Sequence, residues 1–310
     1  MKASAPGKII LFGEHAVVYN RPALAVPVTQ VHVDVEVLDS SRKGIWIHAP
    51  GINLNAELDS LPGDHPIGSV ILQVFQRFGF STPPFQGGMD ISINSTIPVA
   101  AGLGSGAAVS VALLRALSGY FGQPLADDEV NKISYEIEKL HHGTPSGLDN
   151  TVITYARPVY FIKGKPLEIF KAAKPFTIVI GDTGIPAPTK KAVGDVRRLW
   201  VRDQYGIENI FNEIAQISLI GRSFIESGRP ELIGDLMDQN HEYLQTLTVS
   251  CPELDHLVET ARKAGALGAK LSGGGRGGNM IALVRQSNAE AVAGALISAG
   301  AKQTIITEVS

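Results

Sequence analysis

PVAAGLGSGAAVSVALL, residues 98–114, passes from an apolar strand end through a glycine turn into an alanine-rich helix. Glycine permits a close backbone approach that side chains forbid. The unpaired N–H groups at a helix start favour an anion. The stretch therefore reads either as a phosphate cradle or as a tight turn with close helix packing, which selects the same small residues. It lacks both the GxxxxGK[ST] spacing and the GxGxxG spacing of dinucleotide folds.

Outward from this stretch, the periodicities alternate between strand and helix. Residues 107–121 are apolar nearly all round, as a buried helix requires. Residues 31–37 and 89–94 alternate apolar and polar, the pattern of strands with one buried face, and 9–12 form a short apolar strand. Within residues 61–78 a helix is expected to start after Asp64 or His65, with Pro66 in its first turn. A helix over 127–140 with one charged face follows, then Thr144-Pro145 as a cap and first helical position, then strands at 158–162 and 167–170.

After Lys174-Pro175 the pattern restarts. A strand at 176–180 precedes helical runs at 189–204, 209–227, 230–247 and 252–264. A strand at 279–284, a helix at 288–299 and a strand at 304–309 close the chain. This order implies an α+β protein of two domains, residues 1–174 and 175–310. With 310 residues, 44% hydrophobic, the chain can bury a core in each.

Net charge is −3, without the basic excess of nucleic-acid binders, so an anionic ligand must be held by local groups. The single cysteine, Cys251, cannot close an intramolecular disulfide and reads as structural. Lys8 and Glu14 interrupt the N-terminal apolar run, and Arg115 the longest one, so neither a secretory signal nor a membrane helix is expected. A cytoplasmic protein is expected.

Three further segments carry polar groups that can complete a site. In APGKIILFGEHAVVY, residues 5–19, Lys8, Glu14 and His15 flank a short strand. They are either surface charges at strand ends or groups that neutralise a transferring phosphoryl. In EKLHHGTPSGLDN, residues 138–150, two carboxylates lie either side of a Gly/Pro turn, Glu138 on one helix and Asp149 in the first turn of the next. That geometry can aim both at one point; otherwise Asp149 complements a helix dipole and Glu138 is a solvated face. Adjacent His141 and His142 do not favour a shared metal ion. KLSGGGRGGN, residues 270–279, is a second glycine loop entering a strand, either a hairpin or a second contact to the same polyanion.

Together, PGKIILFGEHAVVY, the GLGSG loop, HGTPSGLDN and KLSGGGRGGNMIAL resemble the GHMP kinase superfamily, and the first, third and fourth are most similar to its mevalonate kinases. The motifs stand in order and span residues 5–283. The resemblance implies a ribosomal-protein-S5-like N-terminal domain, a ferredoxin-like C-terminal domain, and ATP- and Mg²⁺-dependent phosphorylation of the primary hydroxyl of mevalonate. It implies Asp149 and Lys8 as the catalytic pair and Glu138 as a magnesium ligand. Ser95 and the loop residues Ala101, Gly102, Leu103, Gly104, Ser105, Gly106 and Ala107 would bind ATP. Glu14, His15 and Thr183 would lie at the substrate, and the chain would form a homodimer. Val17, Val18 and Ile185 suit a partly apolar acceptor pocket, but a phosphomevalonate kinase, a sugar kinase or a non-catalytic homologue stay open.

Two positions depart from the family pattern. The family loop commonly reads GLGSS, its second serine helping to hold magnesium; that position is Gly106 here, leaving Ser105 or water to replace it. Arg276 stands where the family commonly has a small residue, and either adds charge near the phosphates or points to solvent.

Overall fold

The computed structural model describes residues 1–79, 88–98, 102–142, 145–187 and 189–310, with the side chains of 141 and 142 excluded. The chain packs as two compact units, each discontinuous in sequence. One comprises residues 1–7, 31–99 and 104–156; the other comprises 8–30, 100–103 and 157–310. This division and a single boundary near residue 174 differ over residues 8–30, 100–103 and 157–174.

In the first unit, the later part of the strand Ala23–Ser40 pairs antiparallel with Gly88–Ser95, from Val33 opposite Ser95 to Ser40 opposite Gly88. Gly44–Ala49 runs parallel to Gly88–Ser95 and pairs with Leu54–Glu57. These two short strands were not legible in the sequence. The helices Pro66–Arg77, Ser105–Tyr120, Asp127–His142 and Leu148–Tyr155 pack on one another. Ser105–Tyr120 is buried along most of its length because alanine, valine and leucine occupy nearly every face. Its one charge, Arg115, donates to Asp127 Oδ1 at 2.7 Å and to the Thr154 carbonyl at 2.6 Å.

The second unit is built on a four-stranded antiparallel sheet in the order Gln303–Val309, Phe176–Asp182, Asn279–Val284, Gly268–Ser272. The last three named are buried at every residue, and Phe176–Asp182 and Asn279–Val284 are accordingly mostly apolar. Helices Thr189–Arg202, Gln204–Glu226, Ile233–Thr246, Pro252–Lys263 and Ala289–Ser298 complete it. The helix expected over 209–227 begins earlier, because Asp203 caps it by accepting the Gly206 N–H at 2.9 Å. The strand Gly268–Ser272, expected only as glycine loop, was hidden because Lys270 breaks its apolar pattern.

Candidate active site

The strand Lys2–Phe12 carries Lys8 four residues before its end, 3% exposed, with its backbone N–H on the Leu103 carbonyl at 3.0 Å. The chain then turns sharply. Gly13 has φ +101°, and a Cβ there would stand 2.5 Å from the Ala23 Cα, so only glycine fits. His15 adopts φ 60°, ψ −47°, and the Ala16 N–H bonds back to the Glu14 carbonyl at 2.6 Å. This is a γ-turn of the rare, strained hand. Such strain persists only where surrounding contacts over-determine it.

Those contacts come from the second glycine loop. His15 Nε2 donates to the Gly274 carbonyl at 3.1 Å. Burial, aided by the charge of Arg276, lowers the His15 pKa to about 4, so the ring is neutral at pH 7. Glu14 is 1% exposed and pairs with the fully buried ammonium of Lys270. Burial pushes the Glu14 carboxyl up and the Lys270 ammonium down, each opposed by the attraction of the other. At the far end of the loop, the N–H and hydroxyl of Thr183 both donate to the Gly278 carbonyl at 2.9 Å. The Gly278 N–H returns to the Ile185 carbonyl at 2.8 Å. One loop thus touches both His15 and Thr183. Sequence reasoning missed Lys270, which reads there as an ordinary charge beside a loop.

Arg276 does not simply point to solvent. Its guanidinium pairs with Asp195 on the helix Thr189–Arg202, and its Nε donates to the Thr248 carbonyl at 3.1 Å. The side chain fastens the loop to its own unit.

The first unit holds most of the remaining candidates. Ser105–Tyr120 starts after Gly104, at φ 78°, with no side-chain cap. Among the described residues no side chain caps its first turn, the arrangement that favours an anion. Ser105 is half-buried; Gly106 is exposed, and among the described residues a Cβ built on it meets nothing within 4 Å. Ser95 is exposed, its hydroxyl accepting the Ile97 N–H at 3.1 Å. Gly102 and Leu103 precede the helix and belong to the other unit. Ala101 lies outside the described residues, as do 143 and 144.

The helix expected to start at Pro145 instead starts at Leu148, because Gly147 at φ 88° forms its cap. Asp149 keeps its expected place in the first turn, half-buried. Glu138, also half-buried, lies two turns beyond Asn131 on the helix Asp127–His142. Asn131 Oδ1 accepts from Asn150 Nδ2 at 2.5 Å and from the Thr151 hydroxyl at 3.4 Å. Those bonds fix the Asp149 turn against the helix carrying Glu138.

Among the described residues, no cluster of three or more His, Cys, Asp or Glu side chains is placed to hold a metal. A dedicated protein cage is thus absent there. Cys251, half-buried before the helix Pro252–Lys263, has its thiol pushed up by burial, away from reactivity.

Comparison with known proteins matches two family models, GHMP kinases N terminal domain over residues 66–157 and GHMP kinases C terminal over residues 222–302. The mevalonate kinase of Thermococcus sibiricus is 36% identical, covering 99% of this chain and 96% of its own. That of Pyrococcus horikoshii is 35% identical, over 99% and 95%. The crystal structure of L. major mevalonate kinase in complex with R-mevalonate superposes with a TM-score of 0.86 at 29% identity, covering 100% of this chain and 96% of that one.

Proposed function

This chain belongs to the GHMP kinases and, among them, to the mevalonate kinases, and we propose that it moves the γ-phosphoryl group of ATP to the primary hydroxyl of mevalonate, giving 5-phosphomevalonate and ADP. The observation that carries this reading is the 36% identity to a mevalonate kinase across 99% of the chain. Its fold is the two-domain GHMP kinase fold, and its chemistry is ATP-dependent transfer to an alcohol.

In the proposed mechanism, Asp149 takes the proton of the acceptor hydroxyl. The oxygen forms its bond to the γ-phosphorus as the bond from phosphorus to the β–γ bridging oxygen breaks, and ADP leaves. Lys8 stabilises the negative charge on the transferring group. The backbone from Ala101 to Ala107 and the first turn of its helix hold the triphosphate, with Ser95 as a further nucleotide contact. Thr183 and His15 serve the acceptor side, His15 as a neutral ring, with Glu14 behind the His15 turn. Glu138 and Ser105 would hold Mg²⁺, which when bound neutralises phosphate charge. Rate acceleration then rests on positioning and electrostatics, with no covalent enzyme intermediate.

Sequence domains at 1–174 and 175–310, a homodimer and a cytoplasmic location belong to the same proposal. In support of the last, no helix among the described residues is long and apolar enough to cross a membrane. The direct test is ATP consumption with Mg²⁺ and a panel of alcohols. Mevalonate should be turned over at least tenfold more efficiently than phosphomevalonate, galactose or homoserine; a preference for any of these overturns the substrate assignment.

A further inference from the structure

The strand Gly268–Ser272 lies at the edge of its sheet, yet every residue in it is buried. Lys270 and Ser272, two apart, share one face of the strand. The Ser272 hydroxyl donates to the Ile10 carbonyl and accepts the Ile10 N–H, both at 3.0 Å. Lys270 Nζ binds Glu14 Oε1 and its own neighbour's carbonyl, Leu271 O, the latter at 2.5 Å. Just beyond the strand, the Gly274 carbonyl takes His15 Nε2. Three ties therefore join residues 10–15 to residues 270–274.

A buried ion pair is a poor source of stability. Removing two charges from water costs about as much as their attraction returns, and an apolar pair of similar size is often at least as stable. Both side chains here are 0% exposed. What such a pair does supply is placement, since each charge accepts only a narrow geometry. The element it places is the strained turn at His15, at the end of the strand that carries Lys8.

We infer that Lys270 and Ser272 are positioning residues for phosphoryl transfer, holding the Glu14–His15 turn and the strand end behind it, and that Glu14 acts through this tie instead of touching the acceptor. The inference rests on the kinase reading of Lys8 and His15. Glu14 carries one oxygen already committed to Lys270 and has no exposed surface to offer.

The experiment compares the full-length wild type with Lys270→Met, the double variant Glu14→Gln/Lys270→Met, and Ser272→Ala. Turnover of mevalonate and ATP is measured beside thermal unfolding. Lys270→Met should lower kcat/KM for mevalonate at least tenfold and leave KM for ATP within twofold. The double variant removes both buried charges, so it should recover the unfolding temperature but not the turnover. Recovery of both would reduce the pair to a structural role and overturn the inference, as would Lys270→Met with turnover within twofold of wild type. If neither charge variant folds, Ser272→Ala, which removes a tie without stranding a charge, decides in the same way: turnover within twofold overturns the inference. A wild type that consumes no ATP with mevalonate removes the kinase reading, and the inference with it.

Discussion

Asn131 holds Asn150 side chain to side chain at 2.5 Å, and the same Asn150 nitrogen also reaches the Asn131 carbonyl at 3.2 Å. The contact is half-buried and locks the helix of Glu138 to the turn of Asp149. Asn131→Ala removes the stronger acceptor and leaves the Thr151 hydroxyl with Gly147 alone, at 2.6 Å. Denaturant unfolding should show a loss of about 1–3 kcal/mol, the cost of a buried polar group losing its partner. Turnover should fall with it while KM for ATP changes little; unchanged kcat would mean that this lock does not set the carboxylate geometry.

Asp149→Asn and Lys8→Met test the catalytic pair directly. Each should reduce kcat by about a hundredfold or more, the usual contribution of a positioned acid–base or charge-stabilising group. ATP binding, measured by calorimetry, should persist. Near-full turnover in either variant removes that residue from the mechanism.

Glu138→Gln should raise the Mg²⁺ concentration needed for half-maximal rate. Gly106→Ser should act in the opposite direction, since open space surrounds a Cβ there and the added hydroxyl supplies the oxygen common in the family. A magnesium titration of both variants checks the pair. An unshifted midpoint in Glu138→Gln counts against its assignment as a ligand.

His241 offers a pH prediction with a definite sign. It is 2% exposed; its Nε2 donates to Asp255 Oδ1 at 3.0 Å and its Nδ1 accepts the Leu271 N–H at 3.3 Å, so the neutral tautomer is fixed. Burial lowers its pKa to about 4, with the charges of Lys270 and Arg262 acting the same way and Asp255 opposing. A base with a depressed folded pKa stabilises the protein fully above its unfolded value of about 6.5, and that stability is lost as pH falls toward 4. Relative to His241→Gln, the wild type should lose up to about 1.4 kcal/mol per pH unit between pH 6.5 and 5. Urea unfolding of both proteins across that range measures the difference; parallel pH dependences would refute the buried neutral ring.

Arg276 combines a left-handed backbone, φ 59°, with a side chain clamped by Asp195 and Thr248. Arg276→Ala loses the clamp and keeps the strain, whereas Arg276→Gly loses the clamp and relieves it. Alanine should therefore be less stable than glycine by about 1 kcal/mol, although glycine is the more flexible residue when unfolded. The reverse order would show that the backbone conformation follows from the side chain.

Much of the fold was legible because its signals are local. The apolar run of 107–121 became the helix Ser105–Tyr120, and the alternation at 31–37 and 89–94 became paired strands. Boundaries failed where a cap competed. Gly147 displaced the helix start from Pro145 to Leu148, and Asp203 began a helix before its apolar period was visible. The strands Gly44–Ala49 and Leu54–Glu57 were missed because short strands interrupted by polar residues give too few repeats of the period.

The candidate site divides the same way. The glycine turn with its open helix start, the placement of Asp149 in a first turn and the family resemblance all came from residues a few positions apart, where backbone sterics and capping act. The neutrality of His15, the seat of Arg276 and the burial of Lys270 against Glu14 were decided only by tertiary structure. Those partners stand up to 259 residues apart, and a charge in sequence looks solvated until folding takes the water away.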